Sequence, residues 1–251
     1  MTDMTLSYDR TRHMCYSRSV KVHIQTHLSQ RYGPEEAQRL WHAVQRQYEQ
    51  FLVDQPFIGG RKNRQAGSVY NCIALFACYE VQPRKPSLEE FQDLVSACFV
   101  AQGTPPVMNL NWAWARRIAH HVFAHLSRVS QRHAQDWPGN YHMETPPYDP
   151  ALGPRYRFTT CPIADFARRH GYEALMPAMC NPDYPTLGML RGGLIRTTTC
   201  ANGPSCDYWI VGDQNPILKQ HPLQQSDDGF WYNEGPGWEE AQPPASSTKI
   251  P

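Results

Sequence analysis

The chain has no apolar run long enough to cross a bilayer: its longest, Cys72 to Tyr79, falls far short of the ~20 residues a spanning helix needs. The first thirty residues carry Asp3, Asp9, Arg10, Arg12, Arg18 and Lys21 and contain no apolar block of leader length. The expectation is therefore a soluble, cytoplasmic protein. Neither sign of charge is in excess, since 24 Lys and Arg stand against 23 Asp and Glu for a formal net charge of +1. That balance gives no reason to expect a nucleic acid or a membrane as partner. The basic residues come in short scattered groups (Arg61, Lys62 and Arg64; Arg116 and Arg117; Arg168 and Arg169), the usual mark of solvated helix faces. No glycine-rich phosphate loop is present, because Gly59-Gly60 and Gly192-Gly193 lack the strand–loop–helix setting of a nucleotide fingerprint. There is likewise no Gly-x-Ser-x-Gly elbow and no kinase-like set. These absences disfavour the commonest nucleotide-dependent enzymes.

What is present suffices for a core, with 41% hydrophobic and 19% charged residues. The first half reads as helices. Met14, Val20, Ile24 and Leu28 recur at helical intervals over residues 11–31. Gly33-Pro34 stops that helix, and Pro34-Glu35-Glu36 opens the next with a proline and acids in its first turn. Pro56 ends this second helix, and Phe57 to Asn63 form a loop whose paired glycines permit positive φ. Further helices are predicted over 69–79, from Ser87 to about Ala101 with Glu90 completing a capping box, and over 112–133. The last places Trp114, Ile118, Val122, Leu126 and Val129 on or near one stripe. Residues 137–154, rich in proline, read as a connection.

Beyond it the character is mixed. Alternation over 156–160 predicts a strand; Pro162 opens a helix that Gly171 closes. Residues 194–199 and 206–211 read as antiparallel strands about an Asn202-Gly203-Pro204 turn. The expected class is α+β, a helical N-terminal lobe followed by a small antiparallel-sheet lobe with helices. Its divisions are a helical lobe at 1–136, a connection at 137–154, the α+β lobe at 155–213 and a proline-rich tail or arm at 214–251. Trp231, Tyr232 and Trp238 suggest that the arm packs on a neighbour, as in a homo-oligomer.

Cys72, Cys78 and Cys98 lie in apolar helical patterns and read as small hydrophobes. Cys161, Cys180, Cys200 and Cys206 are 19, 20 and 6 residues apart, which fails the close pairing of structural zinc sites. His121 and His125 share a helix face but lack the Glu that usually stands between zinc-binding histidines. No metal site and no cofactor is assigned; zinc or another metal is the alternative if folding gathers these groups. Cys180 and Asp183 flank an Asn181-Pro182 turn. A carboxylate is favoured at a helix start, and a thiol becomes reactive where its anion is stabilised. This pair is thus the leading candidate for acid–base or nucleophilic work, against the plain alternative of a core thiol beside a capping acid. Cys206 and Asp207 are neighbours on a strand and face opposite sides, so one of them is structural.

Taken together, the Pro56–Asn63 block, Cys161-Pro162-Ile163-Ala164, Met179-Cys180-Asn181-Pro182-Asp183-Tyr184, Arg196-Thr197 and Gly203 through Cys206-Asp207-Tyr208 resemble the L-2-amino-thiazoline-4-carboxylic acid hydrolase family. The resemblance implies hydrolytic opening of a sulfur-containing cyclic amidine, giving N-carbamoyl-L-cysteine. The second lobe is also similar to the small ligand-binding 4-vinyl-reductase domains, which implies a pocket for a small-molecule substrate. On these resemblances Asp183 pairs with the amidine and directs water, or Cys180 attacks the same carbon. Asn63 hydrogen-bonds the tetrahedral centre, and Asp207 is a competing acid. Arg196 takes the substrate carboxylate, or else forms a cross-strand salt bridge. Gly59, Gly60, Cys161 and Cys206 line the substrate. The rival expectations are a non-catalytic small-molecule or metal-binding domain, and a specialised-metabolism enzyme acting on another ring by elimination or isomerisation.

Overall fold

The structure is a computed structural model and describes residues 16–101 and 108–239. The start of the first predicted helix, the Gly103–Pro106 stop and the last residues of the tail lie outside this range. In chain order the elements are α1 (Arg18–Tyr32), α2 (Pro34–Val53), α3 (Ala66–Val81), α4 (Leu88–Ala101), α5 (Ala113–Arg132), β1 (His142–Glu144), β2 (Arg155–Thr160), α6 (Pro162–His170), α7 (Met176–Cys180), α8 (Asp183–Gly188), β3 (Gly192–Ile195), β4 (Cys206–Gly212), β5 (Leu223–Gln225) and β6 (Trp231–Asn233). The class is α+β, with a helical N-terminal part. Among the described residues no helix is long and apolar enough to cross a membrane.

The chain divides into two compact units. One gathers residues up to 103 with 132–141 and 161–182; the other gathers 104–131, 142–160 and 183 onward. In the first, Val20, Ile24 and Leu28 of α1 are buried, as is the Leu40–Leu52 face of α2. α3 is buried on every side from Val69 to Cys78, and a helix that is apolar all round belongs at the centre of its unit. Phe76 on α3 stacks on Phe166 of α6 at 5.4 Å and on Tyr172 at 5.2 Å. Burial pushes the Cys78 and Cys98 thiols up to about 12, so both act as apolar packing groups.

Local signals set the boundaries. Ser87 Oγ accepts from Glu90 N at 3.1 Å, and Glu90 Oε2 accepts from Ser87 N at 2.8 Å, a reciprocal cap for α4. Gly171 closes α6 in the left-handed region at φ 73, which a Cβ would disfavour.

The second unit is built on an antiparallel sheet ordered β1-β2-β4-β3. β4 is buried along its whole length. It pairs with β2 through Tyr208 opposite Tyr156, and with β3 through Trp209 opposite Ile195. Leu152, Ile195, Trp209 and Val211 form a core on which Ile217, Leu218 and Trp238 pack. α5 docks on β1 through serines: Ser127 Oγ donates to Met143 O at 2.9 Å, and Met143 N donates to Ser130 Oγ at 3.0 Å. Over residues 214–239 the segment read as a tail or arm instead belongs to this unit. It forms a 3-10 turn at Pro216–Gln220 and the antiparallel β5–β6 pair. Asn233 on β6 explains the difference, because its N donates to Arg196 O at 2.7 Å while its Oδ1 accepts from Arg196 N at 3.0 Å.

Candidate functional site

The sequence-selected residues are shared between the two units. Gly59, Gly60, Asn63, Cys161 and Cys180 belong to the first, while Asp183, Arg196, Cys206 and Asp207 belong to the second.

In the first unit the glycines take the positive φ angles their pairing predicts, 92 at Gly59 and 49 at Gly60. Gly59 also lies hard against Trp137, whose Cδ2 would be 2.6 Å from an added Cβ. Asn63 is buried and organises this turn. Its Nδ2 donates to Ile58 O at 2.5 Å and to Asn140 Oδ1 at 2.7 Å, and its Oδ1 accepts from Gln65 N at 3.0 Å. Both amide hydrogens are thereby committed to the loop, a different duty from the one expected at a tetrahedral centre. Cys161 precedes Pro162 at the start of α6 without a side-chain cap. Cys180 is the last residue of α7; it therefore lacks the helix N-terminus that activates thiols.

The second unit holds a compact charged cluster. Asp183 is the first residue of α8, the helix-start position its turn predicts. Its Oδ2 accepts from Arg196 Nη1 at 2.7 Å and from Tyr208 Oη at 2.6 Å. Arg196 follows β3 immediately and is wholly buried, whereas the Asp183 side chain keeps 26% of its surface exposed. The guanidinium lies over two rings, Tyr184 at 4.9 Å and Tyr208 at 5.7 Å, a stacking to which its planar, weakly hydrated head is suited. Arg196 therefore makes an ion pair within the cluster, not with a strand opposite.

Burial first, and then the Asp183 carboxylate, raise the Tyr208 hydroxyl well above the ordinary tyrosine value. It stays protonated and donates. Tyr156, stacked on Tyr208 at 4.5 Å, is raised by the same two causes in the same order. Tyr184 Oη donates to Asn233 Oδ1 at 3.0 Å, tying the cluster to β6. Among the described residues no hydrogen bond reaches the second Asp183 oxygen, Oδ1, so it is free to accept from a ligand or water.

Asp207, the competing acid, is occupied with the backbone. Its carboxylate accepts from Thr197 N at 3.0 and 3.1 Å, from Thr198 N at 2.8 Å and from Thr197 Oγ1 at 3.1 Å. This clamp fixes the strand exit that carries Arg196. Cys206 is buried beside it, and Cys200 donates its thiol hydrogen to Phe158 O at 3.3 Å. The reading of 206–207 as a pair with one structural member thus finds Asp207 in that part. Among the described residues no group of three or more His, Cys, Asp or Glu is arranged to hold a metal ion. Two surface depressions, of about 400 and 540 Å³, are lined by residues of α1 with α4 and of α2; neither contains a sequence-selected residue.

Tyr184, Tyr208 and Asn233 were not chosen from sequence. The alternation of β4 puts Cys206 and Tyr208 on one face, a signal that was available; Arg196 and Tyr184 lie 37 and 49 residues from their partner Asn233 and left none.

Residues 68–210, more than half of the chain, match a family described as L-2-amino-thiazoline-4-carboxylic acid hydrolase. The matched span includes Cys161, Cys180, Asp183, Arg196, Cys206 and Asp207 and leaves out Gly59, Gly60 and Asn63. No curated protein and no solved structure matches the chain.

Proposed function

Because the chain belongs to the L-2-amino-thiazoline-4-carboxylic acid hydrolase family, we propose that it opens a small heterocycle of the cyclic-amidine type by addition of water, with Asp183 as its acid–base residue. Water adds to the C=N carbon and passes a proton to Asp183 Oδ1. Asp183 then gives that proton to the ring heteroatom, whose bond to the carbon breaks, while the new carbinol releases its O–H proton to solvent and closes to the carbonyl. The observation that supports this reading is the asymmetry of the Asp183 carboxylate. One oxygen is anchored by Arg196 and Tyr208, while the side chain remains partly exposed. Its open oxygen fits one N–H of an amidinium and the attacking water. Arg196 acts through Asp183 as a positioning residue, and its two tyrosine faces hold the guanidinium in one geometry.

The rival route takes the chemistry to the first unit, with Cys180 attacking the C=N carbon and the resulting adduct then hydrolysed. The test is incubation of purified protein with 2-amino-thiazoline-4-carboxylate, then with other cyclic amidines, lactams and imides, read by mass spectrometry as gain of one water. Asp183→Asn is expected to lower the rate by about 100-fold or more, with Cys180→Ser active. Loss in Cys180→Ser alone transfers the chemistry to the thiol, and full activity in both variants removes the assignment altogether. Binding of the ring without turnover would make the protein a non-catalytic binder.

A further inference from the structure

α5 exposes a stripe of large apolar residues over its first half. Its buried residues are Ala115, His120, Ser127 and Ser130, and the two serines hold β1. Phe123 packs on Tyr156 at 4.2 Å, and Leu126 and Val129 are partly buried, but the large apolar residues of the first half face outward: Trp114 is 52% exposed, Ile118 47% and Val122 51%, with Trp112 just ahead at 49%. These are half of the large exposed hydrophobic residues among those described, gathered within eleven positions. The two indoles stack at 5.5 Å. Trp114, Ile118 and Val122 follow at i, i+4 and i+8 and so form one ridge. Offset by three residues runs a second ridge, Arg117, His121 and His125, continued by Arg128; all four are exposed. No Asp or Glu occurs anywhere between Ala113 and Arg132, and among the described residues no acid forms an ion pair with Arg117, Arg128 or Arg132. A nearly neutral chain thus carries a helix whose exposed side is an apolar ridge beside a basic one.

We propose that this face of α5, with Trp112, lies on an anionic lipid surface. The ridge pair has the composition of an interfacial helix, with tryptophan and aliphatic residues to enter the headgroup boundary and arginines to meet lipid phosphates and carboxylates. Indoles prefer that boundary because one edge is apolar and the N–H is wet. A second copy fits less well. Antiparallel pairing across the apolar ridge sets each arginine ridge against its own copy, and the helix supplies no acid to offset the repulsion.

The experiment is flotation of the full chain with vesicles of phosphatidylcholine alone and with phosphatidylserine added, at low salt. Three exposed arginines, Arg117, Arg128 and Arg132, at about fivefold each, are expected to favour the serine-containing vesicles by about 100-fold, and added salt should reduce the difference. Trp114→Ser with Ile118→Ser, and separately Arg117→Glu with Arg128→Glu, should each lower binding at least about tenfold. Both pairs are surface changes, and unchanged circular dichroism confirms that they fold. Equal binding to the two vesicle types overturns the proposal, as does undiminished binding by either variant. A dimer in light scattering that the Trp114 and Ile118 changes convert to monomer also overturns it, since the face then belongs to a second copy.

Discussion

Removing either member of the Asp183–Arg196 pair should have unequal consequences, because the two charges sit at different depths. Arg196 is wholly buried, while Asp183 keeps 26% exposure. Asp183→Ala strands a guanidinium inside the protein and also takes away the acceptor of the buried Tyr208 hydroxyl. Breaking a buried pair in this sense costs about 3–5 kcal/mol. At about 2–4 °C per kcal/mol for a chain of this size, the melting midpoint should fall by about 6–20 °C. Arg196→Met keeps a long apolar side chain between the rings of Tyr184 and Tyr208. It leaves behind a carboxylate that still accepts from Tyr208 and can reach water, so the loss should stay below about 2 kcal/mol. Asp183→Ala combined with Arg196→Met removes both charges and should be less damaging than Asp183→Ala alone. Thermal and urea denaturation of the four proteins measures all of this. An Arg196→Met midpoint as low as that of Asp183→Ala would refute the reasoning, and so would strict additivity in the double variant.

Cys78 and Cys98 give a prediction for alkaline pH. Their thiols move from 9.0 in the unfolded chain to about 12 in the folded one, so above about pH 9 only the unfolded chain sheds the protons. Stability is full below that value and should fall by about 1.4 kcal/mol per pH unit for each thiol toward about pH 12. Melting midpoints in reductant should show a slope that shrinks when both are replaced by Ala; an unchanged slope refutes the assignment. Gly59→Ala and Gly171→Ala should differ although both positions have positive φ, 92 and 73. The first adds a Cβ 2.6 Å from the Trp137 ring, whereas the second meets nothing within 4 Å. Gly171→Ala should cost only the backbone strain of about 1–2 kcal/mol and Gly59→Ala clearly more, and equal midpoints would contradict the packing of that loop. Ser87→Ala removes one half of the α4 cap and should cost about 1 kcal/mol, read in the same melts.

How much of this was legible in the sequence follows the range of each interaction. Gly33-Pro34, the Ser87 and Glu90 cap, and Pro162 through Gly171 act on their own backbone, and the helices begin or end where those residues place them. The antiparallel pairing of β3 with β4 was readable in outline, but β3 is Gly192–Ile195 rather than 194–199, and a ten-residue connection, not a tight turn, joins it to β4. The orientation of α5 was not. Its Trp114, Ile118 and Val122 stripe looks like a core face on periodicity alone. Phe123 packs on Tyr156 instead, and Ser127 and Ser130 bind the main chain of β1; hydroxyl-to-backbone bonds leave no trace in a hydrophobic pattern. The site shows the same division. Asp183 at a helix start is a local fact, while the sandwich of Arg196 between Tyr184 and Tyr208, and its tether to Asn233, require strands brought together from distant parts of the chain.

The interleaving of the two units sets a limit on how the molecule can be cut. Each takes its residues from three separate stretches, so no single scission yields either one whole. A piece beginning at Arg155 would give up α5 and β1, and a piece spanning only 68–210 would forfeit β6 with the Asn233 grip on Arg196. Neither piece should hold the carboxylate cluster in shape. Shortened versions made for crystallisation or display should therefore melt early or remain unfolded, and trimming is best confined to the two ends of the chain.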